Sequence, residues 1–270
     1  MITTEITKLQ YDIYGLLAER RLKDAFGKLA LLVNELQDWV SRDKLNEMET
    51  SYRYMIQYML DGVEDPERKS IYDHLVLSAY VLTDRVSDRL AGQVSPSQYY
   101  GWKRYASASR TDISLSSQFD VCDNEINDLS LALLLSEQEQ DFSKIQSLKH
   151  RIEDTAGNLF MDIWTNYPAA EDDYRSLREA LFTDRFPDTF VSLLLSAVLL
   201  NLLHRFDEQK LLILLDGYRH SSPEIQMRSL CCALIVMYIY RERLPLLKSL
   251  RNRLDALYEE PKFKTDVRNI

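Results

Sequence analysis

The sequence predicts an all-α chain of stacked antiparallel helix pairs, about twelve helices and no sheet, and three observations carry that expectation. Turn residues are scarce: 270 residues hold only 7 Gly and 7 Pro, far below the usual shares of roughly 7% and 5%. Apolar residues recur at helical spacing between cap signals along nearly the whole chain. An apolar helix opening at Pro187 is repeated at Pro223, as expected of a chain built from helix pairs. The 46% hydrophobic content can fill a sizeable core and excludes a disordered chain.

Helices are expected over 4–20, 22–40, 43–61 and 66–91, then 96–108, 123–136, 141–166 and 171–182, and last 188–205, 207–219, 223–240 and 243–258. Asp65-Pro66, Ser95-Pro96 and Ser222-Pro223 each set a capping side chain before a proline at the first helical position, where the missing N–H costs nothing. Gln98, three after Ser95, completes a capping box. Gly62, Gly92 and Gly217 stand where a left-handed residue stops or bends a helix. The stretch TDISLSSQFDVC alternates Ile113, Leu115, Phe119 and Val121 and reads as an extended or irregular link, with no second strand to pair with.

Charge divides the chain into three expected parts. Residues 1–110 carry 15 Lys and Arg against 16 Asp and Glu, residues 111–186 form an acidic middle, and residues 187–270 lean basic. The net charge of −9 lacks the domain-wide basic excess that phosphate contacts need, so a nucleic-acid partner is not expected. No secretory signal opens MITTEITKLQYDIYGLL, which makes a cytoplasmic location the expectation. The longest apolar runs, Thr189 to His204 and Ser229 to Tyr240, fall short of the roughly 20 residues a membrane span takes, so no transmembrane segment is expected. Cys122, Cys231 and Cys232 form no CxxC pair, and neighbours on a helix point about 100° apart, so reduced core thiols are expected.

The repeat aligns Leu194 with Leu230, Ala197 with Ala233, Val198 with Leu234, Leu199 with Ile235 and Arg205 with Arg241. Each copy follows its apolar helix with a second, amphipathic one; in the later copy Leu244, Leu247, Leu250, Leu254 and Leu257 make a stripe. Neither helix could bury its apolar face alone, so neighbouring pairs must stack. Opening on Pro and then a mostly apolar helix, residues 187–270 resemble the HEAT-repeat class, and Asp266, Val267 and Arg268 in PKFKTDVRNI match the start of a further repeat. LLAERRLKDAFGKLALL, with Leu22, Ala25, Leu29 and Leu32 at the positions that close one helix on the other, resembles a tetratricopeptide helix pair. Together these resemblances imply an α-solenoid, either in the three parts above or as one continuous right-handed stack.

Catalytic motifs are missing from the sequence: Gly27-Lys28 lacks the rest of a phosphate loop, and GxSxG, HExxH and GxGxxG do not occur. No catalytic residue, metal or cofactor is therefore expected. His150 and Asp154, four apart, could share a metal but read first as a helix-surface pair, and His74, His204 and His220 stand alone. Glu137, Glu139, Asp141, Glu153, Asp154, Glu171, Asp172 and Asp173 read as a solvated acidic face at helix starts and joins. Sixteen tyrosines include Tyr54 and Tyr58, beside Met55 and Met59, and the cluster YYGWKRY.

Tyr and Trp join apolar area to a polar tip, which suits interface anchors as well as interhelical grooves. Tyr99, Trp102 and Arg104, with Lys248 and Arg251 opposite the leucine stripe, are the expected partner contacts. The expected function is a non-enzymatic scaffold that binds a protein or an acidic peptide on an extended helical surface. A homo-oligomer is compatible with it. The alternatives are an enzyme built on a helical stack and acting on nucleic-acid bases or by other hydrolytic chemistry, or the N-terminal interaction module of a longer protein.

Overall fold

Helical spacing is realised in thirteen α-helices with no strand among the described residues, which in this computed structural model are 1–62, 64–109, 114–135, 142–183 and 185–270. They are α1 (Thr3–Ala18), α2 (Leu22–Leu36), α3 (Trp39–Leu60), α4 (Arg68–Val94), α5 (Gln98–Ser109), α6 (Leu115–Leu135), α7 (Phe142–Thr165), α8 (Glu171–Phe182), α9 (Asp188–His204), α10 (Glu208–Asp216), α11 (Pro223–Ile239), α12 (Lys248–Tyr258) and α13 (Pro261–Asn269). Short 3-10 turns stand at Gly217–Arg219 and Leu244–Leu246. None of these helices is long and apolar enough to cross a membrane.

Several boundaries differ from the expected ones, each for a local reason. Leu115 begins α6, so the expected link is helical from there: Ser114 Oγ accepts from the Ser117 N–H at 3.1 Å, and Leu115, Phe119 and Cys122 are buried at helical spacing. The alternation that suggested an extended segment comes from Ile113, outside the described residues, and exposed Val121. Gly62 stops α3 with a left-handed φ of 75°, but α4 runs through Gly92 to Val94, and Gly217 is right-handed at φ −59°. Ser95 closes α4 and takes the Ser97 N–H at 3.3 Å, one residue short of the expected capping box. Gln37, at φ 55°, ends α2 four residues early, and Asp38 then caps α3 at Ser41 N. The expected helix 243–258 is broken by extended Leu247 (ψ 98°) between the second 3-10 turn and α12.

The chain forms two compact units. The first holds Met1–Gly101 and Tyr240–Lys248. Within it α1, α2 and α4 pack on one another, and α3 lies along α2 and α4. Leu22, Ala25, Leu29 and Leu32 are all at most 1% exposed, in a core with Ile13, Leu17, Val76 and Val86. The far half of α3 contributes little to that core, since its buried residues are Ser41, Leu45 and Met48.

The second unit holds Trp102–Ile239 and Ser249–Ile270. Here α7, α9 and α11 succeed one another in contact, and α6, α8 and α10 do the same beside them, the pattern that repeated helix pairs make. The aligned Leu194 and Leu230, and Ala197 and Ala233, are fully buried, which explains why α9 and α11 are apolar nearly all round. Glu125, buried on α6, takes Arg151 and Thr155 of α7 at 3.0 and 2.8 Å. In α13, Phe263 is 1% exposed and stands edge-on to Tyr218 and Tyr258 at 5.0 and 5.4 Å.

Gly217 marks the tightest approach in this unit. A Cβ built there would lie 1.9 Å from Ser229 Oγ and 2.7 Å from Ser229 Cβ on α11. Gly217→Ala is therefore expected to lower stability by about 1–3 kcal/mol, the usual cost of overpacking, as measured by urea unfolding. A loss below about 0.5 kcal/mol would show that the turn yields without strain.

Candidate functional site

A polar cleft of about 290 Å³ opens in the second unit, with walls supplied by α5, α6, α7 and the start of α8. Lys103, Ala106 and Ser107 come from α5, Leu115 and Gln118 from α6, Asp162 and Thr165 from α7, and Asn166 and Asp173 from the following turn and α8. The α7–α8 turn, which brings Asn166 to the cleft, is fastened by polar side chains on several sides. Lys210 Nζ donates to the Asn166 carbonyl and, at 2.8 Å, to Asn201 Oδ1. Asn201 Nδ2 donates to the Trp164 carbonyl at 2.7 Å, and Lys103 Nζ donates to the Tyr167 carbonyl. Asp173 Oδ2 takes the Asn166 amide at 3.0 Å and the Ala170 N–H at 3.1 Å, placing the carboxylate at the first turn of α8, where the helix dipole favours it.

Burial tunes the cations around this turn. Lys210 is 2% exposed, and loss of hydration lowers its ammonium to about 8 against the pull of Asp207 and Asp173. His204 is pushed down to about 3, first by burial and then by the charges of Arg205 and Lys103, so it is a neutral imidazole at pH 7. The cleft's hydroxyls are committed to their own helices: Ser107 Oγ donates to the Lys103 carbonyl at 2.8 Å and Thr165 Oγ1 to the Met161 carbonyl at 2.9 Å. A nucleophile needs a base within hydrogen-bond reach, and neither hydroxyl is aimed at one.

The expected contact residues fall into two kinds. Tyr99 is 4% exposed, edge-on to Tyr100 at 4.9 Å inside the first unit, so it is a core side chain there and offers no surface. Sequence reading placed it at an interface because Tyr and Trp suit contact anchors and Lys103 and Arg104 stand beside them, whereas Tyr99 and Tyr100 are both buried. Trp102 is half-buried; its indole N–H donates to Asp162 Oδ1 at 3.2 Å, and its ring lies 5.4 Å from that of Tyr105. Arg104 is exposed, as are Lys248 and Arg251 on α12. The structure thus brings Trp102 and exposed Tyr105 together on α5 and rests Trp102 on Asp162 at the cleft.

The remaining candidates take structural positions. His150 is 75% exposed with Glu153 and Asp154 each 3.7 Å away, and no group of three His, Cys, Asp or Glu able to hold a metal ion occurs among the described residues. Burial raises the Cys122 and Cys232 thiols to about 12 and 11, so both are protonated; Cys231 is half-buried. Glu153, Asp154 and Asp172 are exposed, whereas Glu137, Glu139 and Asp141 lie outside the described residues. Sequence reading noted Lys103 only as a neighbour of Arg104 in YYGWKRY and missed Lys210 and Asn201 as site residues; the signal for Lys210 was a lysine directly before the apolar run LLILL of α10. Compared with protein-family models, curated proteins and solved structures, the chain matches none.

Proposed function

We propose that the chain is a non-enzymatic scaffold, an α-solenoid with tetratricopeptide-like and HEAT-like pairs, that binds a partner protein on its helical surface. The observation that carries this reading is the α5 strip, where a half-buried indole fixed by Asp162 supports exposed Tyr105 beside exposed Arg104. A fixed aromatic pair with an arginine at its edge loses little freedom on binding, and such residues supply most hot spots. Lys248 and Arg251 supply a second, cationic contact suited to an acidic segment. The cleft's hydroxyls, bonded to backbone carbonyls, favour recognition over covalent chemistry.

Affinity capture with the whole chain as bait tests the reading. The wild type should retain a stoichiometric partner protein that is lost on substituting the exposed pair, Arg104→Glu with Tyr105→Ala, or on Arg251→Glu. Retention by all variants alike, or no retained protein with the wild type, would overturn it.

A further inference from the structure

The cleft walled by α5, α6 and α7 is rich in hydrogen-bond acceptors and short of donors. Ser107 and Thr165 each give their one hydroxyl hydrogen to a carbonyl of their own helix, at 2.8 and 2.9 Å, and so present only lone pairs. Asn166 spends an amide hydrogen on Asp173 Oδ2 at 3.0 Å, and its side-chain oxygen keeps its capacity to accept. Asp162 and Asp173 add carboxylates, and Asp173 Oδ1 takes no hydrogen bond among the described residues. Donors are fewer: Gln118 has its amide, and Lys103, the one cation among the described lining residues, gives an ammonium hydrogen to the Tyr167 carbonyl.

A ligand that completes this lining must bring donors and positive charge. The charges agree: two carboxylates line the cleft against one ammonium, and the buried Lys210 beyond Asn166 is offset by Asp207. A guanidinium suits the lining better than an ammonium, because its five N–H donors fan out in a plane towards separate acceptors, whereas an ammonium has three on one nitrogen. Ala106 and Leu115 supply apolar wall for the methylene stem of an arginine. The volume of about 290 Å³, at the lower end of ligand pockets of roughly 300–1,000 Å³, fits one side chain rather than a large cofactor.

We propose that the cleft binds a guanidinium group, the side chain of an arginine on the partner protein, with Asp173 and Asp162 as its anionic contacts. The source of the group rests on the scaffold reading, since Trp102, bonded to Asp162 at 3.2 Å, joins the cleft to the exposed strip of α5. The Trp102 indole N–H reports on the site because it shares Asp162 with the ligand, and Trp102→Phe tells its magnetic-resonance signal from those of Trp39 and Trp164. N-acetyl-arginine N-methylamide added to the whole labelled chain should shift that signal saturably in the millimolar range, as a single side chain allows. The capped citrulline, similar in shape but neutral, should bind about tenfold more weakly, and Asp173→Asn should cost the wild-type site about as much. Asp173 also caps α8, so the deciding variants are at Gln118, whose side chain has no hydrogen-bond partner among the described residues. Gln118→Glu should tighten binding several-fold and Gln118→Lys should abolish it. No saturable shift, equal binding of citrulline, or indifference to both Gln118 variants would overturn the proposal. Agmatine binding more than about tenfold tighter than the capped residue would assign the site to a small free ligand and overturn the partner's arginine as its source. Affinity capture reads the scaffold separately: a partner retained by a chain that binds no capped arginine would sink the cleft site alone.

Discussion

Replacing Arg243 by Ala should cost the first unit about 3–5 kcal/mol, the usual penalty for removing one partner of a buried ion pair. The guanidinium is 3% exposed and its partner Asp84 is 2% exposed. Nη1 and Nη2 each meet an oxygen of that carboxylate, the second pair at 3.3 Å. The guanidinium carbon lies 4.6 and 4.4 Å from the ring centres of Tyr14 and Tyr80, so the cation rests over two neighbouring rings as well as in a fork of hydrogen bonds. Burial is the largest single influence and works against its charge, but Asp84 together with Tyr14 and Tyr240 outweighs burial and keeps it protonated. With Arg243 gone, Asp84 would retain only the neutral donors Tyr14 Oη and Gln10 Nε2 in a dry site.

The comparison that isolates the charge is Arg243→Lys, which keeps the cation but loses the fork and the flat stacking surface, and should recover only part of the loss. Pairing Arg243→Met with Asp84→Leu should recover more than either single change, because no charge is then left buried. Urea unfolding followed by circular dichroism reads each of these proteins against the wild type. If Arg243→Ala costs under about 1 kcal/mol, the pair is not buried in solution and the seat for Tyr240–Lys248 is loose.

Why sequence reading recovered the helices but not this site follows from range. Helix propensity, caps and apolar spacing act over a few residues, so the burial of Leu22, Ala25, Leu29 and Leu32, and of the aligned Leu194 and Leu230, was legible in advance. Arg20 and Gln37 end their helices in left-handed conformations at φ 62° and 55°, which no residue-type rule anticipates outside Gly and Asn. The polar sites lie further from reach: Arg243 meets Asp84 across 159 positions, Lys103 meets the Tyr167 carbonyl across 64, and Lys210 meets that of Asn166 across 44. A single arginine beside LPLL looks like a solvated end of a leucine stripe until the turn at Leu244–Leu246 directs it inward. Trp102 was singled out by type, but only folding shows that Asp162 holds it, 60 positions away.

His204 should make the second unit acid-sensitive over a range where ordinary carboxylates are still ionised. In the unfolded chain its imidazole takes a proton near 6.5, whereas in the fold burial and the charges of Arg205 and Lys103 delay that to about 3. Between these values the unfolded state binds more protons, so lowering the pH draws the equilibrium towards unfolding. The contribution is fully present above pH 6.5 and is lost as pH falls towards 3. By pH 4 the loss should amount to roughly 2–3 kcal/mol, allowing for the partial exposure of the ring. His204→Gln keeps a polar planar group without the titration, so its urea midpoint should fall less between pH 7.5 and 4.5 than that of the wild type. Asp12 and Asp38, whose carboxyls are held low by Lys28 and Ser41, also lose stability on protonation, but both proteins share them. The difference between the two curves therefore reports His204 alone, and parallel curves would mean that the imidazole reaches water and titrates normally beside Arg205.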